Sequence, residues 1–358
     1  MSTFSRTMRA VAIKALQCGS IPQHIGLIMD GNRRYGRKVH VGNGKGYYLG
    51  YETLEEILAV CMEMGVKVVT VYAFSIENFK RPADQVDTLM ELAKTKLAEL
   101  CEHSELVRQY GIGIRVLGDT SLLPEDVRNV IRKAVDLTKK NNRAILNMCF
   151  PYTSREELTM ATRSLVSGIE AHDLNPRQVS LTVDISTSVL EQSLYTRSCP
   201  PMDILIRTSG EIRLSDFMLW QSSRECHIEF VDCFWPEFTF WKLLPILLRY
   251  QLRAIPIAQS RREYGRGEVA EDDVEGDENV LLSTNIGKAR QTSLEQEQDL
   301  VVMMSQRNSS ESTLVTSEAD GTAGKKSPCG LTLEKKQRVS SFLHHRGYLP
   351  NCPIVHLQ

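Results

Sequence analysis

The sequence predicts an α/β fold: a central, mostly parallel sheet of six strands flanked by helices, followed by a carboxyl-terminal tail of different character. Three observations predict it. Short β-branched runs alternate with longer helical patterns between about residues 21 and 255. The predicted strands are apolar along nearly their whole length, as a sheet covered on both faces requires. With 358 residues, 42% of them hydrophobic, the chain can also bury a sizeable core.

In chain order, residues 1–20 form an amphipathic segment in which Met8, Val11, Ala12, Ala15 and Leu16 share one helical face, with Arg9 and Lys14 near its edge. That pattern suits a helix lying in a membrane interface and equally a helix packed on the domain. The domain itself spans 21–258. Its predicted strands are HIGLIM (24–29), KVVTVYAF (67–74), IGIRVLG (112–118), AILNMCF (144–150), DILIRT (203–208) and HIEFVD (227–232). Helical spacing of apolar residues places helices over 51–63 and 85–109, and Pro124-Glu-Asp opens another with acidic residues in its first turn. From 259 to 358 the chain is charged and rich in Ser, Thr, Glu and Gln, with few aromatics, the composition of a disordered tail. A basic and apolar stretch, Lys335 to Tyr348, fits a short helix or a docking peptide.

Composition narrows the function. Lys and Arg number 43 against 44 Asp and Glu, so no whole-molecule field draws in nucleic acid, and anion binding must be local. Nine cysteines, none in a C-x-x-C spacing, signal neither a disulfide framework nor a zinc site and favour a reducing compartment. No apolar window approaches the roughly 20 residues of a spanning helix. The longest apolar run near the start, Ala10 to Ile13, is too short for a signal peptide.

Chemistry concentrates at strand ends. HIGLIM runs into Asp30-Gly31-Asn32-Arg33-Arg34, and ligands in parallel sheets bind at the carboxyl ends of strands. Glycine admits an anion close to the backbone, guanidiniums offer forked donors to phosphate oxygens, and a carboxylate can hold a magnesium ion bridging to the same diphosphate. The second strand ends in Ser75, Glu77, Asn78 and Arg81, and DILIRT delivers Arg207 before a loop with Arg213 and Ser215. Each loop alone is compatible with a solvated polar turn. Three of them at three strand ends point to two diphosphates on one rim.

The strings HIGLIMDGNRRY, TVYAFSIENFKRP, RVLGD, LNMCFPYTSREE, DILIRTSGEIRLSDFMLWQ and WPEF resemble the cis-prenyltransferase family, that of undecaprenyl diphosphate synthase, in its eukaryotic dehydrodolichyl branch. The resemblance covers about 20–255 and does not reach the tail. It implies that Asp30 binds Mg2+ and, with Gly31, Asn32, Arg33 and Arg34, the allylic diphosphate. It also implies that Ser75 and Asn78 assist diphosphate departure or proton removal, that Arg81 is a further anion contact, and that Arg207, Arg213 and Ser215 receive isopentenyl diphosphate.

In this family apolar side chains line a tunnel for the growing chain, with Leu89, Met90, Leu92, Ala93, Leu97 and Leu100 as candidates against ordinary core. The implied reaction condenses isopentenyl diphosphate onto farnesyl diphosphate, giving a long polyprenyl diphosphate for dolichol synthesis and protein glycosylation. The alternative is a non-catalytic scaffold subunit of such a complex. The implied location is peripheral, on the cytoplasmic face of the endoplasmic reticulum or on lipid droplets.

The sequence departs from the family pattern at three places. Tyr47 stands where a histidine is common, with Lys45 as a candidate phosphate contact in its stead. Neither Glu225 nor Glu229 aligns as a second magnesium ligand. The closing Arg-x-Gly motif is absent from Arg261–Gly267, as in two-component members where a Nogo-B-receptor-like partner supplies it, so the isolated chain is expected to have weak or no activity.

Overall fold

The computed structural model describes residues 3–102, 105–171, 174 and 186–267. The predicted tail beyond 267, with the stretch from Lys335 to Tyr348, lies outside the described residues. All six predicted strands form, as β1 (His24–Ile28), β2 (Val68–Tyr72), β3 (Ile112–Leu117), β4 (Ala144–Cys149), β5 (Ile204–Thr208) and β6 (His227–Val231), in the order β3-β4-β2-β1-β5-β6. Every pairing is parallel. The near-continuous apolar runs are explained by burial on both sides: Ile25, Leu27, Ile204 and Ile206 enter one core cluster, while Ile28 and Leu205 enter another on the opposite face. The first cluster is closed by α1 (Thr3–Gln17), α3 (Gly42–Met64), α4 (Ala83–Glu102), α6 (Glu125–Thr138) and α10 (Phe240–Gly267). The remaining helices are α2 (Asn32–Lys38), α5 (Glu105–Tyr110), α7 (Ser154–Glu170), α8 (Thr187–Ser193) and α9 (Leu219–Ser222).

A buried polar ladder crosses the sheet. His24 Nδ1 lies 2.9 Å from the carbonyl of Pro200 and its Nε2 2.7 Å from Thr70 Oγ1, which also accepts from Asn147 Nδ2 at 3.0 Å. A carbonyl can only accept, so Nδ1 carries the proton and Nε2 accepts from the Thr70 hydroxyl. Desolvation favours this neutral ring, and burial lowers the His24 pKa to about 4.

Three elements differ from the sequence-based expectation. First, α3 begins at Gly42, well before residue 51, through a glycine-containing stretch that intrinsic propensity disfavours. Packing overrides propensity there: a Cβ on Gly46 would stand 2.3 Å from the Asn32 carbonyl oxygen, and one on Gly50 2.1 Å from Asn32 Oδ1. The two glycines let α2 nest against α3. Second, α1 buries Ile13 and Leu16 and leaves Met8 46% and Val11 60% exposed, so its packed face is rotated from the predicted one. Arg9 pairs with Glu63 at 2.9 Å, and Gln17 Nε2 donates to the Glu63 carbonyl at 2.8 Å, which ties α1 to the end of α3. Third, α10 remains helical past the predicted domain end at 258. Its residues to Ser260 group with the sheet, and those from Arg261 group with a second unit.

Candidate functional site

The strand order reverses at β1, with β2 on one side and β5 on the other, which is where an open parallel sheet leaves a crevice at its carboxyl edge. The residues following β1, β2 and β5 meet there at the mouth of a cavity of about 810 Å³. Asp30, Gly31, Asn32, Arg33, Arg34, Ser75, Asn78, Arg81, Arg207, Arg213 and Ser215 all line it. Each residue predicted from the three loops therefore reaches one space.

Arg207 organises the mouth. Its side chain is only 4% exposed, and it donates to Asp30 Oδ2 at 2.9 Å, to Ser215 Oγ at 2.6 Å and to the carbonyl of Arg213 at 2.6 Å. One guanidinium thus joins the loop after β1 to the loop after β5, over a sequence separation of 177 residues. Asp30 also receives the Gly31 N–H at 2.7 Å and lies 3.4 Å from Arg34. Gly31 occupies the left-handed region at φ 98°, and a Cβ there would stand 2.7 Å from the Phe234 ring, so glycine is required twice over.

The other arginines are held by neutral or acidic partners. Arg33 donates to Gln85 Oε1 at 2.8 Å. Arg34 pairs with Glu211 at 3.3 Å and stacks its guanidinium 5.6 Å above the Phe234 ring. Glu211 also pairs with Arg213, so one carboxylate spans a cation from each predicted diphosphate set. Arg33, Arg34, Arg81, Arg207 and Arg213 supply more positive charge than Asp30 and Glu211 neutralise, and the surplus favours an anion at the mouth. Buried in part, Arg81 has its pKa lowered by desolvation, with Tyr47 opposing the shift.

Ser75 and Asn78 cap the 3₁₀ turn Ile76–Lys80: Ser75 Oγ accepts from the Glu77 N–H, and Asn78 Oδ1 accepts from the Ser75 N–H. The donors left to Asn78 are on its amide nitrogen. Asn32 has a double placement, since its Nδ2 donates to the Met29 carbonyl at 3.2 Å while Oδ1 is buried against α3 without a partner.

Tyr47, in place of the family's histidine, accepts a long 3.3 Å bond from Arg81 Nη1 inside the cavity. Lys45 is exposed and does not line this cavity, unlike Tyr47. Helical geometry explains it, because the two-residue offset between them turns a side chain by about 200°. Glu229 accepts from Arg249 and His227 on β6 and does not line the cavity.

Behind the mouth the cavity is apolar. Leu89, Leu92, Ala93, Leu97 and Leu100 of α4 line it, as expected for a tunnel, but Met90 does not; it faces the core at 6% exposure. Residues 89, 92, 93, 97 and 100 share a face at spacings of three and four, and Met90 stands at the edge of that face, within about 20° of Leu97, where it joins the core cluster. The opposite wall comes from Val127, Val130 and Ile131 of α6 and from Val71, Val116, Leu146 and Met148 of the sheet. Sequence reasoning missed these, since a wall and a core have the same composition.

It also missed Tyr72, Arg155 and Asp216, which line the mouth. Tyr72 stacks on Phe217 with centroids 4.6 Å apart, and its Oη lies 3.2 Å from the carbonyls of Tyr152 and Ser215. Arg155 Nε donates to Asp216 Oδ2 at 2.7 Å. Ser215, Asp216 and Met218 are left-handed, with φ of 50°, 62° and 47°. Non-glycine residues held there cost about 1–3 kcal/mol each and persist only when their surroundings over-determine them.

Among the described residues, no group of three or more His, Cys, Asp or Glu side chains is placed to hold a metal ion. No helix among them is long and apolar enough to cross a membrane.

Comparison with known proteins agrees with this architecture. The undecaprenyl diphosphate synthase family model matches residues 28–256. The chain is 47% identical over 249 residues to a dehydrodolichyl diphosphate synthase complex subunit of Homo sapiens, covering 70% of this chain and 73% of that one. It is 45% identical to the corresponding complex subunit of Schizosaccharomyces pombe, covering 70% and 92%. Among solved structures it is similar to lavandulyl diphosphate synthase from Lavandula x intermedia in complex with dimethylallyl diphosphate, with a TM-score of 0.59 and 30% identity, covering 64% of this chain and 95% of that one.

Proposed function

The chain belongs to the undecaprenyl diphosphate synthase family of prenyltransferases, and on that premise we propose that it is the catalytic subunit of a dehydrodolichyl diphosphate synthase. The proposed reaction is magnesium-dependent cis-condensation of isopentenyl diphosphate units onto farnesyl diphosphate, yielding a long-chain polyprenyl diphosphate. One observation carries this reading: two arginine sets, joined through Arg207 and Glu211, stand at the mouth of a cavity whose body is apolar. A subunit serving only as scaffold needs neither set.

In this reading Asp30, Arg33, Arg34 and Arg81 hold the allylic diphosphate, and Arg207, Arg213 and Ser215 the isopentenyl diphosphate. The residues present suit magnesium. Asp30 is a partly exposed carboxylate at the mouth, and Mg2+ is commonly held by one or two carboxylates together with substrate phosphate oxygens. The ion would neutralise charge that develops on the departing diphosphate. Fixed guanidiniums act on the same charge without reorganising, and the Asn78 amide donors stand ready for a diphosphate oxygen. The apolar walls of α4, α6 and the sheet take up the lengthening hydrocarbon.

Two further features belong to the proposal. Relatives are named as complex subunits, which supports a second, Nogo-B-receptor-like subunit supplying an Arg-x-Gly motif to the site. A peripheral position on the cytoplasmic face of the endoplasmic reticulum, or on lipid droplets, suits a water-insoluble product and the exposed Met8 and Val11 on α1.

The test is incorporation of radiolabelled isopentenyl diphosphate by the chain co-expressed with candidate partners, with and without magnesium. Label in long polyprenyl products is expected, together with its loss in Asp30→Ala at unchanged folding and partner binding. No product with any partner would refute the enzyme reading, and normal turnover in Asp30→Ala would refute the placement of the metal.

A further inference from the structure

The cations that line the cavity are engaged with one exception. The arginines of both predicted sets have the partners described above, Arg155 pairs with Asp216 at 2.7 Å, Lys94 with Asp126 at 2.8 Å and Lys96 with Glu99 at 2.5 Å. The exception is Arg37. Among the described residues lining the cavity, it is the one cation whose side chain has neither a hydrogen bond nor an ion pair.

Arg37 is exposed, in the last turn of α2, and stands one helical turn beyond Arg33 and Arg34 on the same face. Like charges at that spacing repel. Arg33 has only the neutral amide of Gln85 for a partner, so no ion pair offsets the repulsion between it and Arg37. The carbonyl end of α2 favours a cation in the last turn, but that gain is open to any exposed side chain there and does not require one that lines the cavity. A guanidinium both exposed and in the cavity lining stands where an anion passes from water into the site.

Its lack of a partner has a consequence for the order of contacts. Arg34 and Arg207 each hold a carboxylate that must be shared or released when a phosphate oxygen arrives. Arg37 gives up only water, and exchanging one hydrogen-bond partner for another costs less than leaving a buried charge unpaired.

We propose that Arg37 is a further anion contact of this site: it meets the incoming allylic diphosphate before the paired arginines do and draws it onto Arg33 and Arg34. The proposal rests on the assignment of the allylic site made above. An exposed charge of this kind acts on capture rather than on the chemical step. Its reach falls with salt, from about 10 Å at 0.1 M ionic strength to about 3 Å at 1 M.

The experiment uses the complex formed with the co-expressed partner. Incorporation of radiolabelled isopentenyl diphosphate is measured at varied farnesyl diphosphate and fixed magnesium, in potassium chloride at about 0.05 M and about 0.5 M. Arg37→Gln is expected to lower kcat/KM for farnesyl diphosphate about fivefold at low salt, with kcat within about twofold, and to differ from wild type by less than about twofold at high salt. Arg37→Lys keeps the charge and should recover most of the loss, whereas Arg37→Glu should deepen it. Lys45→Gln removes the same charge from an exposed position outside the cavity lining and is expected to leave kcat/KM within about twofold of wild type.

Circular dichroism melts of the same variants identify any that is misfolded, and the graded series Lys, Gln, Glu at one exposed position keeps the reading independent of any single one. An unchanged kcat/KM at low salt, a loss of equal size at both salts, or an equal loss in Lys45→Gln would overturn the contact while leaving the enzyme reading intact. A lowered melting temperature with unchanged kcat/KM would likewise reduce Arg37 to a cation that stabilises the end of α2. A wild-type complex that incorporates no label would remove the premise and the proposal with it.

Discussion

Replacing Gly46 by alanine puts a methyl group 2.3 Å from the Asn32 carbonyl oxygen and 3.3 Å from both Asn32 C and Gly36 Cα. All three are backbone atoms of α2 or its start, so no rotamer change relieves the overlap, and α2 must move away from α3. Overpacking of this kind costs about 1–3 kcal/mol, set against a helix-propensity gain of up to about 1 kcal/mol for Gly to Ala. The net expectation is destabilisation by about 1–2 kcal/mol.

Gly44, two residues earlier in the same helix, is the internal control, since the nearest atom to an added Cβ is Thr88 Cγ2 at an ordinary 3.9 Å. Gly44→Ala keeps the propensity gain and meets no obstacle, so it should stabilise by roughly 0.5 kcal/mol. Thermal melts followed by circular dichroism should separate the two variants by roughly 3–10 °C, at about 2–4 °C per kcal/mol for a domain of this size. Because α2 carries Arg33 and Arg34, Gly46→Ala should also raise the KM for farnesyl diphosphate. Equal stability of Gly44→Ala and Gly46→Ala would refute the nesting of α2 against α3 and with it the placement of the first arginine pair.

Other expectations follow from the same structure. His24, whose pKa falls from an ordinary 6.5 to about 4 on burial, binds a proton more readily in the unfolded chain; stability is therefore fully present above pH 6.5 and is lost as pH falls towards 4. The loss amounts to roughly 3 kcal/mol at most, and urea midpoints measured from pH 7 to 4 should flatten in His24→Gln; an unchanged slope would exclude His24 as the source. Ala93→Trp fills the cavity from α4 and should shorten the polyprenyl product with little change in melting temperature, as read by chromatography of the dephosphorylated chains. Tyr47→Phe removes only a 3.3 Å bond to Arg81 and should change turnover by less than about fivefold, a weak hydrogen bond being worth under about 1 kcal/mol; a hundredfold loss would give the phenol a direct role in proton transfer.

Much of the fold was legible in the sequence because burial on both faces leaves a local signature. A strand such as Ile204–Thr208, apolar at the three consecutive residues 204 to 206, has that pattern only if both its faces are covered, and six such runs separated by helical spacing leave few topologies besides a parallel sheet. The site's ingredients were legible for a similar reason. Loops after β1, β2 and β5 carry arginine, serine and glycine at the strand edge where ligands bind, and those residue types suit phosphate whatever the rest of the chain does.

Tertiary structure alone decided which of those ingredients meet. The 2.9 Å contact of Arg207 with Asp30 joins residues 177 apart, and no periodicity within either segment encodes it. Glu157 reads in sequence as one more acidic residue in a helix's first turn, a position usually solvated; only the approach of Tyr152, Tyr195 and Gln221 makes it a buried anchor. The glycines of α3 read as a break until α2 is seen lying on them, and Met90 reads as tunnel lining until the core neighbours at the edge of that face are known. Local pattern fixes the dihedral angles a segment prefers and the width of its apolar face. Which partner fills that face, and which charge finds its counterpart, depends on how distant segments close on one another, and that is settled by packing rather than by spacing.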